Sequence, residues 1–281
     1  MNYLQTLKFG SDKLKYHNIN THILDSEILL SFILNTSREK ILMNLDTNIK
    51  KNKFEKFKKL LSRREKKEPI AYITNKKEFW KNNFYVNSDV LIPRPETELI
   101  VEEVLKNTHI YSSKKFLEIG TGSGCLVVSI IKERPKCFAT AIDISKKALN
   151  VAKFNAKMHH LINKINFVNI DIDKIHFSKY DFVISNPPYI NKFDLSRLDE
   201  SVKIFEPYIA FEAGIDGLRE ITNLIIKSKK LLKNNGKLIF EIGQGQSLIT
   251  KKILNQNGYF INKVIKDISS IPRVVVSTKV I

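Results

Sequence analysis

The segment Tyr180-Asp181-Phe182-Val183-Ile184-Ser185-Asn186-Pro187-Pro188-Tyr189-Ile190 runs an apolar stretch into a double proline. A continuous β-branched and aromatic run without alternation suits a short parallel strand covered on both faces, and Phe182, Val183 and Ile184 fit that description. The strand must stop at Ser185 or Asn186. Two consecutive prolines lack backbone N–H donors, fix φ and push the preceding residue into an extended conformation. Asn186 is therefore presented at the C-terminal edge of a strand, where ligands bind in open α/β sheets. Such a presentation suits transfer to an uncharged planar nitrogen, whose lone pair is delocalised and poorly nucleophilic. The Asn186 side-chain oxygen and the Pro187 carbonyl could each accept one N–H of a substrate NH2 and favour the more tetrahedral geometry of attack. The group would lie over Asn186, Pro187, Pro188 and Tyr189, with the Tyr189 ring as a flat wall. An isolated match of four residues also describes a strand-ending turn without chemistry. A cofactor site earlier on the same sheet edge decides between the two.

Such a site precedes it. From Lys114 the pattern alternates strands and helices, the mark of a parallel sheet with crossovers. Residues 116–119 read as the first strand. Gly120, Thr121, Gly122, Ser123 and Gly124 then turn tightly into a helix over 125–133, where glycines let the backbone pass close to a ligand at the helix N-terminus. The second strand, 138–142, ends in Asp143, about twenty residues past the loop, where an acid can bind ribose hydroxyls. A helix over 146–158 and a third strand over 165–168 lead to Asp171 and Ile172, placed to border an adenine. Right-handed crossovers bring these strand ends and Asn186 to one side of the sheet. Downstream come a helix over 224–232, a strand over 237–242, the loop Gly243-Gln244-Gly245-Gln246 and a helix ending near Gly258. The last two strands, 259–266 and 273–279, are separated by too little chain for a crossover helix and should pair antiparallel.

Upstream, residues 1 to about 67 read as helical. Asp25 can cap a helix carrying Ile28, Leu29, Phe32 and Ile33, Thr36 or Ser37 can start the next, and Phe54, Phe57, Leu60 and Leu61 recur at helical spacing. Such a small bundle, without nucleophile or glycine loop, suits partner docking. Pro69 ends it, and residues 70–74 lead into a hairpin in which Phe79-Trp80 and Phe84-Tyr85-Val86 flank an Asn82-Asn83 turn. Residues 91–98, LIPRPETE, form a proline-stiffened linker before a helix over 99–105. Its arginine, Arg94, could bind an anionic group or pair with Glu96 or Glu98. The expected organisation is thus a helical docking domain over 1–73, a hairpin and linker over 74–94, and a cofactor domain over 95–281.

The chain has 281 residues, 43% of them hydrophobic, and a net charge of +18 carried mostly by lysine. That charge invites a nucleic-acid partner and is equally met by a solvated basic surface; direct contact with nucleic acid is compatible with it, not required by it. The N-terminus lacks the order of a signal peptide and no run approaches transmembrane length, so a cytoplasmic location is expected and no membrane partner. Cys125 and Cys137 stand in no CxxC or Cys/His arrangement, which suggests core residues rather than a disulfide or metal site.

A glycine loop followed by an acid also describes NAD-binding domains. The GTGSG loop, the antiparallel C-terminal pair and NPPY after the fourth strand instead resemble class I (Rossmann-like) methyltransferases dependent on S-adenosylmethionine. Within that class the whole chain resembles the HemK/PrmC family, N5-glutamine methyltransferases of class 1 peptide chain release factors. The likeness rests on LIPRPETE at 91–98, EIGTGSG at 118–124, AID at 141–143, SNPPYI at 185–190, and FEP and GIDGL between 205 and 218, with the helical N-terminal part and the aromatic hairpin. It departs at Asn75, where the family has glycine, and at Ile172, where relatives place an aromatic against adenine. The resemblance implies an α/β fold with a small N-terminal helical bundle and a hairpin linker. It implies that Gly120 to Gly124 hold the methionine portion of S-adenosylmethionine, Asp143 the ribose and Asp171 or Ile172 the adenine, with no metal. The glutamine of a Gly-Gly-Gln loop would enter over Asn186 to Tyr189, and its nitrogen would attack the methyl in line without prior deprotonation. The paralogous enzyme acting on a large-subunit ribosomal protein shares LIPRPETE. A nucleic-acid adenine or guanine amine methyltransferase and a non-enzymatic assembly factor are the other readings.

Overall fold

The computed structural model describes residues 1–175 and 179–280. They form two compact units, one of residues 1–76 with 199–205, the other of residues 77–198 with 206–280. Among the described residues no helix is long and apolar enough to cross a membrane.

The smaller unit is helical. Helix α1 (Tyr3–Tyr16) starts at a reciprocal cap in which the Asn2 side chain accepts from Gln5 N and the Gln5 side chain accepts from Asn2 N. It is followed by α2 (His22–Leu34), α3 (Arg38–Leu42), α4 (Lys51–Glu65) and α5 (Ile70–Thr74). Ser37 caps α3, whereas α2 begins three residues before the Asp25 cap expected from sequence. Asp25 lies buried within α2 and accepts from Thr21 Oγ1 at 2.8 Å and Arg64 Nε at 2.7 Å, so its carboxylate serves a tertiary ion pair. Residues 70–74, expected to lead into a hairpin, form a helix that ends at Asn75 in the left-handed region. Asparagine is the residue after glycine that best tolerates that conformation, which accounts for the departure at this position. Leu14, Leu29, Leu30, Phe57 and Leu61 fill the core, and α9 (Glu200–Phe205) groups with this unit.

The larger unit opens with hairpin strands β1 (Lys77–Phe79) and β2 (Asn82–Phe84). Their register pairs Phe79 with Asn82, which puts Trp80-Lys81 in the turn and the two asparagines in the second strand. Trp80 and Lys81 take positive φ values of 43° and 54°, the geometry of a two-residue hairpin turn. Tertiary bonds hold that strained position: Trp80 N donates to Glu98 Oε1 at 2.8 Å and its indole N–H donates to Glu133 at 3.1 Å. After α6 (Glu98–Lys106) come β3 (Lys115–Ile119), α7 (Cys125–Glu133), β4 (Phe138–Asp143), α8 (Lys146–Met158), β5 (Ile165–Asn169) and β6 (Tyr180–Ser185). Then follow α10 (Arg219–Leu231), β7 (Leu232–Glu241), α11 (Ser247–Gln256), β8 (Tyr259–Lys266) and β9 (Pro272–Lys279). The seven strands lie in the order β5-β4-β3-β6-β7-β9-β8, parallel except for β9, which is antiparallel to both β7 and β8.

Alternate residues of the central strands serve opposite cores. Phe116, Phe182, Ile184 and Ile239 pack with α6 and α7 on one face, while Leu117, Val183, Leu238 and Phe240 pack with α10 and α11 on the other. Cys125 and Cys137 are both buried and free. Each fully buried Leu, Ile or Phe contributes about 1.5–3 kcal/mol, which fixes the register of strands buried on both sides.

In the helical unit, α1 approaches its neighbours through Gly10, where a Cβ would lie 2.5 Å from Ser26 Oγ and 2.7 Å from Phe57 Cζ. Gly10→Ala should therefore overpack this contact and destabilise the unit by about 1–3 kcal/mol despite the better helix propensity of alanine. Amide hydrogen exchange in α1 of the full chain should accelerate correspondingly; unchanged exchange would mean that the helices separate without cost.

Candidate active site

The chain steps from β3 to β4 and β5 on one side, then returns to place β6 on the other side of β3. The ends of β3 and β6 thus diverge at a topological switch point, the place where open α/β sheets leave a crevice. A cavity of about 610 Å³ lies there, lined among others by Gly120, Thr121, Gly122, Ser123, Asp143, Asp171, Ile172, Asn186, Pro187 and Pro188. Of the residues singled out from the sequence, Gly124 and Tyr189 do not line it.

The glycine loop borders open space. Gly120 and Gly122 take φ of +69° and +53°, and a Cβ at either would meet nothing within 4 Å. The left-handed backbone, rather than crowding, is what demands glycine there. Gly124 differs: its added Cβ would lie 3.1 Å from the Ala152 Cβ, so it lets the start of α7 sit close to α8. The buried Asn155 side chain braces the loop, donating to Ser123 O at 2.8 Å and Tyr85 O at 2.9 Å and accepting from Tyr85 N at 2.8 Å.

Asp143 accepts from Gly122 N at 2.9 Å and Ser145 N at 2.8 Å, which orients its carboxylate; burial nevertheless pushes its pKa up. Asp171 is exposed and accepts from Asp173 N, while Ile172 is half-buried against the apolar core. Glu118 also lines the cavity although its motif was read only for its glycines. It is 2% exposed and accepts from Thr121 Oγ1 at 2.6 Å. Burial, reinforced by the Asp143 charge and opposed by the Thr121 donor, pushes its pKa to about 8.

At the end of β6, Asn186 Nδ2 donates to Thr97 Oγ1 at 3.0 Å, and Thr97 Oγ1 donates to Glu241 Oε2 at 2.6 Å. Tyr189 donates from its hydroxyl to the other carboxylate oxygen of Glu241 at 2.9 Å. Tyr189 does not line this cavity; it lines a second groove together with Gly243 and Gln246. Glu241 is 1% exposed, and burial pushes its pKa up against the Thr97 and Tyr189 donors and the charge of Arg273. Sequence reading found Thr97 only as part of a linker motif and found no role for Glu241, because 144 residues separate the two partners.

Two further clamps hold the rim. The buried Glu206 carboxylate accepts from Arg94 Nη2 at 2.6 Å and from Ile92 N at 3.0 Å, so the partner of Arg94 is neither Glu96 nor Glu98. Glu98 is instead the acceptor of Trp80 N. Gly217, with φ +73°, passes so close to the loop that a Cβ would be 2.5 Å from Tyr189 O. Gln246 Nε2 donates to that same oxygen at 2.9 Å and to Gly217 O at 3.1 Å. The FEP motif therefore holds the 91–98 linker through Glu206, and the GIDGL motif holds the segment after Asn186 through Gly217.

Residues 5–74 match the family model of the PrmC N-terminal domain, and residues 95–201 match that of the methyltransferase small domain. The chain is 36% identical over 299 residues to a bifunctional methyltransferase of Rickettsia felis, an alignment covering 96% of this chain and 57% of that protein. It therefore spans little more than half the length of such relatives. It is 35% identical over 269 residues to the release factor glutamine methyltransferase of Clostridium acetobutylicum, covering 95% of this chain and 94% of the relative. A solved methyltransferase structure from Pyrococcus furiosus aligns over 70% of this chain and 89% of its own with a TM-score of 0.52 at 18% identity, a likeness of fold.

Glu118 makes folding pH-dependent with a definite sign. Its folded pKa of about 8 lies above the ordinary 4.5, so the folded chain keeps a proton that the unfolded chain loses. Its contribution is fully present below the ordinary carboxyl range and is lost as pH rises through about 8. Wild-type stability should fall over this window by on the order of a few kcal/mol more than that of Glu118→Gln, measured by urea unfolding at several pH values. Parallel curves would place the titration elsewhere.

Proposed function

The chain belongs to the release factor glutamine methyltransferase family, and on that premise we propose that it methylates the side-chain amide nitrogen (N5) of the glutamine in the Gly-Gly-Gln motif of class 1 peptide chain release factors, in the cytoplasm. The observation that carries the proposal is the Asn186 carboxamide. With Nδ2 spent on Thr97, its oxygen is the end left for the cavity that the glycine loop and Asp143 also line.

The residues suit S-adenosylmethionine. The open space beside Gly120 and Gly122 leaves the loop backbone free to approach a ligand, and Asp143 has carboxylate lone pairs to spare beyond its two backbone donors. S-adenosylmethionine, when bound, supplies an electrophilic methyl on a sulfonium. Gly120, Thr121, Gly122 and Ser123 would hold its methionine portion, Asp143 would accept from the ribose hydroxyls, and Asp171 or Ile172 would border the adenine. Gly124 contributes packing rather than contact.

Asn186 Oδ1 and the Pro187 carbonyl each accept one N–H of the substrate amide. That orients the nitrogen and stabilises the positive charge it acquires as the new N–C bond would form and the sulfonium S–C bond break to leave a neutral thioether; the nitrogen is then acidic enough to lose its proton to water. Pro188 fixes the turn that carries these acceptors, and Tyr189 anchors it through Glu241. The helical unit, which includes Glu200–Phe205, docks the release factor, so that binding energy from parts of the substrate that do not react helps to position a flexible loop.

Incubation with labelled S-adenosylmethionine and purified release factor, ribosomal protein and DNA should label the release factor alone. Label in DNA would move the substrate to an exocyclic base amine. Asn186→Ala should lower turnover by roughly 10²–10³-fold while cofactor affinity stays within about twofold. Retained turnover would remove Asn186 from the mechanism.

A further inference from the structure

We propose that Thr97 and Glu241 are positioning residues for the transfer, setting which end of the Asn186 carboxamide faces the acceptor nitrogen. The inference rests on the methyl-transfer reading above and deepens it.

A carboxamide is nearly symmetric in shape. Turned by 180°, Asn186 would fill the same volume and offer N–H donors to a substrate NH2 that itself only donates. Packing cannot tell the two orientations apart, so hydrogen bonds must. The discriminating atom is Thr97 Oγ1, which carries one hydrogen. That hydrogen goes to Glu241 at 2.6 Å, within the range of an O–H bond to a carboxylate. Toward Asn186, Thr97 is left with lone pairs alone, so the amide must turn its Nδ2 to the threonine and its oxygen to the cavity. A second donor, the Tyr189 hydroxyl on the other carboxylate oxygen, leaves Glu241 accepting on both sides. Burial and the neighbouring Glu241 push the Tyr189 pKa far up, which keeps that hydroxyl a donor.

The fold places these groups where the task needs them. Strands β6 and β7 run parallel with Ser185 opposite Phe240, so the next residues along, Asn186 just past the end of β6 and Glu241 still paired in β7, stand side by side. Thr97, in the short 3₁₀ turn of residues 95–97 that opens onto α6, spans the gap between their side chains. Thr97 is itself buried, so water does not readily replace its hydroxyl.

The test compares Thr97→Val, which keeps the shape and removes the hydroxyl, with Thr97→Ser, which keeps the hydroxyl. Thr97→Val should lower kcat roughly 10- to 100-fold, with cofactor affinity and acceptor KM within about threefold, and Thr97→Ser should recover most of the loss. Equal impairment of both variants, or a loss expressed in KM alone, would overturn the proposal. Because Thr97 acts through Asn186, adding Thr97→Val to Asn186→Ala should slow that variant by no more than about threefold; losses that multiply would contradict the relay. A readout independent of turnover is the side-chain NH2 resonance of Asn186, assigned by its disappearance in Asn186→Ala. Its exchange with solvent should quicken in Thr97→Val and remain slow in Thr97→Ser. If the wild-type chain failed to methylate release factor, the functional reading would fall while the relay was still tested by this resonance. If methylation proceeded and Thr97→Val left both kcat and the resonance unchanged, the relay alone would fall.

Discussion

Pro187 and Pro188 end a strand in the middle of a seven-stranded sheet, between β3 and β7, where a strand would ordinarily continue its ladder. Neither proline can donate, so pairing stops at Ser185 and the chain must leave the sheet. It leaves at the switch point, beside the glycine loop that leaves β3. A backbone constraint thereby brings two loops with different tasks to the same cavity. The left-handed glycines of one and Asn186 of the other border it together because β6 lies next to β3. The later motifs follow from this placement: a loop that departs from the centre of a sheet must be held from several sides, and Gly217, Gln246, Tyr189 and Thr97 do so.

Three buried glutamates, Glu118 in the cavity wall and Glu206 and Glu241 behind it, support the site, and each has its own donors. A buried carboxylate without partners costs several kcal/mol, so the protein supplies partners or leaves the group protonated. Glu206 receives a guanidinium and a backbone N–H, which ties the 91–98 linker to the segment after α9. Glu241 receives two hydroxyls, each of which has a second task on the loop. Glu118, in β3, receives one hydroxyl, and its burial pushes its pKa up to about 8. The nearby Asp143 charge pushes in the same direction.

What the sequence revealed was whatever a local rule determines. The helices at Cys125–Glu133 and Lys146–Met158, the parallel strands between them and the antiparallel C-terminal pair follow from periodicity, capping and connection length. The crevice residues Gly120, Gly122, Asp143 and Asn186 were legible because each sits at a fixed offset from a strand end. The failures have a common cause in contacts remote along the chain. Asn82-Asn83 has the better turn composition, yet Glu98 and Glu133 hold Trp80 in the turn from 18 and 53 residues away. Arg94 has two acids within four residues and pairs with one 112 residues distant. Tyr189 looked like a wall because its ring follows the prolines, whereas the residue that fixes its direction, Glu241, lies 52 positions on.

The relay also explains why residue 186 is an asparagine rather than an aspartate. Either side chain could accept an N–H from a substrate amide, and a carboxylate would accept it more strongly. An aspartate, however, has nothing to donate to Thr97, whose single hydrogen is already committed to Glu241. Its inner oxygen would face the threonine lone pairs, and its charge would stand one bridging atom from a second buried carboxylate. Either Thr97 would turn from Glu241 and leave that acid with the Tyr189 hydroxyl as its one remaining side-chain donor, or one of the two acids would take up a proton and cease to be a dependable acceptor. An amide avoids both outcomes by donating inward and accepting outward. The choice at residue 186 is therefore made by Glu241 as much as by the chemistry in the cavity.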